Sequence, residues 1–186
     1  IEYYLPNDIY QQPVHHQAVA ADIINSRNLL SKNDKFHSIL ATQNIPEAIA
    51  YYNLFKEQYP SLNVATVFDN NIDNSDEGIA KDDEYNSKYH TSFQLSTYTK
   101  YKKDIAKRLA HKRPYLGIEH DHNQQIDLLI VVTQMLTGYD SKWVNTLYVD
   151  KLMKYVDVIQ SFSRTNRLFG PDKPFGIIRY YTFPYT

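Results

Sequence analysis

Ile126-Asp127-Leu128-Leu129-Ile130-Val131-Val132 decides the fold. After its single acid the run is unbroken Leu, Ile and Val. A strand with one wet face alternates apolar and polar side chains, whereas a strand covered on both faces does not. This segment therefore belongs inside a sheet with a layer on each side. It is far too short to span a bilayer.

The flanking sequence supplies those layers. Toward the N-terminus, Pro13 to Leu30 has helical spacing through Val14, Ala18, Ala21 and Ile24. Phe36 to Thr42 reads as a buried strand. Pro46 to Tyr59 reads as a helix with Ala48, Ile49, Tyr52 and Phe55 on one face, and Leu62 to Phe68 as a Val- and Thr-rich strand. Asp69 to Glu84 is acidic and Asn-rich, as a solvated loop is. Phe93 to Arg113 is helical in pattern with a basic face, and Leu116 to Gln125 is a polar connection. Toward the C-terminus come a strand at Val144 to Asp150, a helix at Tyr155 to Arg167 and a strand at Gly176 to Thr182. Strands alternating with helices predict an α/β domain of three layers, a mainly parallel sheet with helices on both faces. Residues 1–12, with Pro6 and little periodicity, read as an incoming linker.

Composition narrows the function. The 186 residues suffice for one well-cored domain. A net charge of −1 argues against holding nucleic acid by bulk charge and leaves room for local phosphate contacts. Without cysteine there is no disulfide framework, thiol nucleophile or Cys-based zinc site, which fits a cytoplasmic protein. No signal peptide is visible. The chain begins at Ile1 and reads as a piece of a longer polypeptide. The 17 tyrosines are expected at half-buried positions with wet hydroxyls rather than as base-stacking platforms.

In parallel sheets, ligands bind beyond the C-terminal ends of the strands. The loop Thr133 to Lys142 leaves that end and carries Thr137-Gly138-Tyr139-Asp140. Gly138 permits a positive φ or a close backbone approach, and Thr137 and Asp140 offer a hydroxyl and a carboxylate. A plain turn explains the same residues. Farther on stands Gln160-Ser161-Phe162-Ser163-Arg164-Thr165-Asn166-Arg167. At about 100° per residue, Gln160, Arg164 and Arg167 share a helix face, opposite the apolar stripe Tyr155, Val158, Ile159 and Phe162. Paired guanidinium forks suit phosphate oxygens, since each can bond bidentately and stays charged. Cations before a Gly170-Pro171 helix stop are also ordinary.

Other clusters are weaker. Lys100, Lys102, Lys103, Lys107, Arg108, Lys112 and Arg113 form a basic segment, either a solvated helix face or a track for a DNA backbone. Glu119-His120-Asp121-His122 has metal-binding residue types but sits in a polar loop. His15 and His16 diverge too far on a helix to face one ion. No metal site is assigned. Trp143 is expected to pack against the domain surface.

A buried strand, a Thr-Gly-Tyr-Asp turn and then Gln-x-x-x-Arg-x-x-Arg on a helix resemble motifs V and VI of superfamily 2 helicases, in their second RecA-like lobe. Leu128 to Val132, Leu136 to Asp140, Asn145-Thr146-Leu147-Tyr148-Val149-Asp150-Lys151 and Gln160 to Arg167 resemble more closely the motor (R) subunit of type I restriction-modification enzymes. Phe36 to Thr42 with Ile45 to Ile49 and Tyr51-Tyr52 resembles that family's motif IV region. Lys173-Pro174-Phe175-Gly176 and Ile178-Arg179-Tyr180-Tyr181 resemble the strand after motif VI. Tyr139 stands where Phe is commoner. The resemblance runs from about residue 13 to the end, strongest over 126–182 and loose over the acidic loop. It implies a second RecA-like lobe at 13–186 with a polar and helical insertion at about 69–125.

The resemblance also implies roles. Arg167 would be the arginine finger and Arg164 a second phosphate contact. Gln160 would position their helix at the nucleotide cleft. Gly138 and Asp140 would shape the motif V loop, and Thr42, Gln43 and Thr137 would lie near the DNA backbone. It implies ATP and Mg2+ held mainly by a first lobe that this chain lacks, with no cofactor bound by this chain alone. The implied partners are that lobe and a nuclease domain of the same polypeptide, double-stranded DNA, and modification and specificity subunits, in a prokaryotic cytoplasm and off the membrane. The five glycines contain no Gly-x-x-x-x-Gly-Lys spacing, so the isolated chain is expected to be inactive toward ATP. The competing readings are a lobe of another superfamily 2 helicase or remodeller, and a non-catalytic α/β interaction module.

Overall fold

The structure, a computed structural model, describes residues 7–68, 84–93, 97–132, 141–153 and 165–182, together with positions 159 and 163. Helix α1 (Pro13–Leu30) starts at its proline, whose missing N–H costs nothing in a first turn. Strand β1 (His37–Thr42) follows, then α2 (Ile45–Gln58) and β2 (Val64–Val67). The Asn44 side chain caps α2 by accepting from the Glu47 N–H at 2.9 Å. Helix α3 (Tyr98–Leu109) precedes two short 3-10 turns, Ile118–His120 and His122–Gln124. Strands β3 (Leu128–Val132), β4 (Val144–Asp150) and β5 (Ile177–Tyr180) complete the sheet.

The strand order is β2-β3-β1-β4-β5 and every pairing is parallel. Alternation within each strand feeds two cores. Ile39, Ala41, Leu129, Val131, Leu147 and Val149 face one way, toward Tyr101, Ile105 and Leu109 of α3. Leu40, Leu128, Ile130 and Tyr148 face the other way, toward Val19 and Ile23 of α1 and Ala48, Tyr51 and Phe55 of α2. The central strands are thus apolar on both faces because both faces are covered, as the Leu128 to Val132 run predicts. This is the three-layer α/β arrangement expected. The observed elements are shorter than the sequence pattern by a few residues at several ends, among them the C-terminal end of α3, beyond which His111 takes a φ of +49°.

Two expectations need correction. Several buried tyrosine hydroxyls are not wet: Tyr101 donates to the Thr66 carbonyl at 2.6 Å, Tyr89 to the Gln125 carbonyl at 2.8 Å, and Tyr85 to Asp104 at 2.6 Å. A phenol enclosed in this way must find a protein partner. Arg108 does not belong to a basic surface either. It is 2% exposed, bonds Asp104 at 3.1 Å, and lies 4.0 Å and 4.1 Å from the ring centres of Tyr89 and Tyr115. Lys103 and Lys107 on the same helix remain exposed. Trp143 packs as expected, stacked on His111 with ring centres 3.8 Å apart. Asn7–Gln11, within the segment read as a linker, forms a 3-10 turn, and the Tyr10 ring meets His15 edge-on.

Candidate functional site at the C-terminal edge of the sheet

Parallel pairing brings the strand ends into register. Thr42 of β1 is level with Val132 of β3 on one side and Asp150 of β4 on the other. The chain therefore leaves Thr42, Val132 and Asp150 along one edge, where α/β sheets bind ligands.

Thr42 is fully buried, and its hydroxyl donates to the Val131 carbonyl at 3.3 Å. Gln43 is exposed. Its backbone N–H donates to Glu47 at 2.8 Å, and its side-chain oxygen accepts from the Leu152 N–H at 3.2 Å. It joins the exits of β1 and β4. Arg167 is exposed, two residues beyond the buried Thr165. Gln160, Arg164, Thr137, Gly138 and Asp140 lie outside the described residues.

Among the described residues, a buried polar cluster here is one that sequence reasoning missed. Asp150 is buried, and its Oδ1 accepts from His15 at 2.7 Å and from Thr182 at 2.6 Å. The Tyr51 hydroxyl donates to Oδ2. Burial pushes this carboxyl up, but those three donors outweigh it and hold it below the usual range. The Tyr51 phenol moves up, through burial first and then the Asp150 charge. A cavity of about 240 Å³ opens beside them, bounded by Tyr10, Gln43, Glu47, Asp150 and Leu152. A carboxylate ending a buried strand was a legible signal, but its partner His15 is 135 residues away. Among the Glu119 to His122 residues, Glu119 accepts from His111 at 2.8 Å and His120 is exposed, so the segment does not converge on one point.

The family profile described as type I restriction enzyme subunit R domain 3 matches residues 34–183. The chain belongs to that family. A type I restriction enzyme endonuclease subunit of Staphylococcus aureus is 36% identical to this domain over 177 residues, covering 87% of this chain and 18% of the relative. One from Staphylococcus saprophyticus is 35% identical over 172 residues, with the same coverage. The domain thus spans about a fifth of the length of these relatives. Among solved structures, the C-terminal part of the Fun30 ATPase domain superposes with a TM-score of 0.52 at 10% identity, over 96% of this chain and 44% of that one. At that identity the likeness speaks to fold, and the fold of this R-subunit domain is RecA-like. No helix among the described residues is long and apolar enough to cross a membrane.

Proposed function

We propose that this R-subunit domain is the second RecA-like motor lobe of an ATP-dependent double-stranded DNA translocase within a type I restriction endonuclease. The observation that carries the reading is the shared edge: the chain leaves Thr42 and Val132 from neighbouring strands at one level. Arg167 supplies the arginine finger and Arg164 a second phosphate contact, with Gln160 positioning their helix. Gly138 and Asp140 shape the loop between nucleotide and DNA. Thr42, Gln43 and Thr137 lie near the DNA backbone, Thr42 as the buried end of β1 whose hydroxyl donates to the Val131 carbonyl.

An exposed arginine two residues beyond a buried anchor suits a phosphate presented from outside, and the chain has no phosphate loop of its own. ATP and Mg2+ accordingly belong mainly to a first lobe, and the nuclease domain, the DNA and the modification and specificity subunits complete the assembly in a prokaryotic cytoplasm. The nucleotide supplies the phosphoryl chemistry; Arg164 and Arg167 supply positive charge in a bidentate fork. Because they act from a second body, their contribution depends on closure between lobes.

The test is Arg164→Ala and Arg167→Ala in the full-length R subunit within its complex. Each is expected to lower DNA-dependent hydrolysis and translocation by roughly 10³-fold or more, the scale of such fingers in GTPases, while DNA binding stays within a few-fold. Unchanged hydrolysis would favour an interaction module and overturn the reading. The isolated chain is expected to show no ATPase activity.

A further inference from the structure

Two buried carboxylates stand at the sheet edge, Asp150 and Glu47, and their donors are unevenly shared. Asp150 accepts from His15, Thr182 and Tyr51. Glu47 Oε2 accepts from the Gln43 N–H, while its Oε1 faces His16 Nε2 across 3.7 Å, too far for a hydrogen bond. His16 is 9% exposed, and its Nε2 is buried without a hydrogen-bond partner. A buried polar nitrogen left unpaired is costly, so its position between two carboxylates calls for an explanation. One ligand atom each from His16, Glu47 and Asp150 lies within 4.8 Å of the others.

We propose that His16, Glu47 and Asp150 bind one divalent transition-metal ion. An imidazole with two carboxylates suits Zn2+ or Mn2+ and is a poor match for Mg2+ or Ca2+. Bonds of about 2.0–2.2 Å require the three side chains to close slightly around the ion. Cavities of about 240 Å³ and 310 Å³ both border Glu47, leaving space for coordinated water. His15, Thr182 and Tyr51 already orient Asp150, as outer partners of a metal ligand do. The ion would tie α1, α2 and β4 together at the functional edge.

Titration calorimetry of the chelator-treated full chain with Zn2+ tests the site. One equivalent is expected to bind in the micromolar range or tighter and to raise Tm. His16→Gln and Glu47→Gln should each weaken binding at least tenfold, and His122→Gln should leave it unchanged. Absence of binding, or binding retained in both variants, overturns the proposal. Should those variants fail to fold, Mn2+ broadening of the wild-type histidine ring resonances decides. His16 broadening first supports the site; His120 or His122 broadening first overturns it.

Discussion

At Gly176 a β-carbon would stand 2.4 Å from the Thr165 carbonyl oxygen and 2.6 Å from the Thr165 Cβ. Thr165 is 2% exposed and cannot swing away, and most of the clash is with backbone. The entry to β5 thus packs directly against the segment that carries Arg167. Gly176→Ala is expected to destabilise the domain by about 1–3 kcal/mol, the usual cost of overpacking, and to lower Tm by several degrees. Gly170→Ala provides the contrast: nothing lies within 4 Å of its added carbon, and only the φ of +57° opposes it. Thermal denaturation of both variants checks the argument; equal, small losses would mean that the Thr165 contact relaxes.

Helix α3 shows how one residue can mislead the reading of an element. Arg108 also donates to the Gln124 backbone and side chain at 3.0 Å and 3.1 Å, besides its pair with Asp104 and its aromatic neighbours. Arg108→Ala is expected to cost about 3–5 kcal/mol, the scale for breaking a buried charge pair. Lys103→Ala and Lys107→Ala should stay within about 0.5 kcal/mol, as exposed substitutions do. Urea denaturation of the three variants separates them, and a small loss at Arg108 would contradict its buried role. The helix itself was legible, since Tyr98, Tyr101, Ile105 and Leu109 recur at helical spacing and are buried. Arg108 was not, because a charge counts as exposed until the rings enclosing it are placed, and Tyr89 and Tyr115 come from outside the helix. The same limit hid the Asp150 cluster. Apolar runs exposed β1, β3 and β4 and hence the edge carrying Gln43. The pairing of Asp150 with His15 is a long-range contact without a local pattern.

Across the whole molecule, a histidine pair at the end of the sheet opposite the candidate site is expected to shape the response to mild acid. His37 Nδ1 donates to the Ile126 carbonyl at 2.7 Å, and its Nε2 contacts His111 Nε2 at 2.7 Å; His111 in turn meets Glu119. Burial first, and then the neighbouring His111, pull the His37 pKa down to about 3. Burial also lowers His111, with Glu119 opposing and Lys142 adding to the shift. A histidine held neutral in the folded state protonates first in the unfolded chain. Its contribution to stability is therefore complete above the unfolded pKa of about 6.5 and is lost as pH falls toward 3. His37 alone should remove about 1.4 kcal/mol per pH unit once pH is well below 6.5. Asp150, also held low, adds its loss only in the carboxylate range, below about pH 4. Urea midpoints between pH 7 and pH 5 consequently separate the histidines from Asp150, while Asp127, which burial pushes up, acts in the opposite sense. His37→Gln is expected to lower stability at pH 7 yet flatten the acid slope by close to one proton, because its amide does not titrate. A slope unchanged by His37→Gln would assign the proton uptake to another group and remove His37 from the acid response.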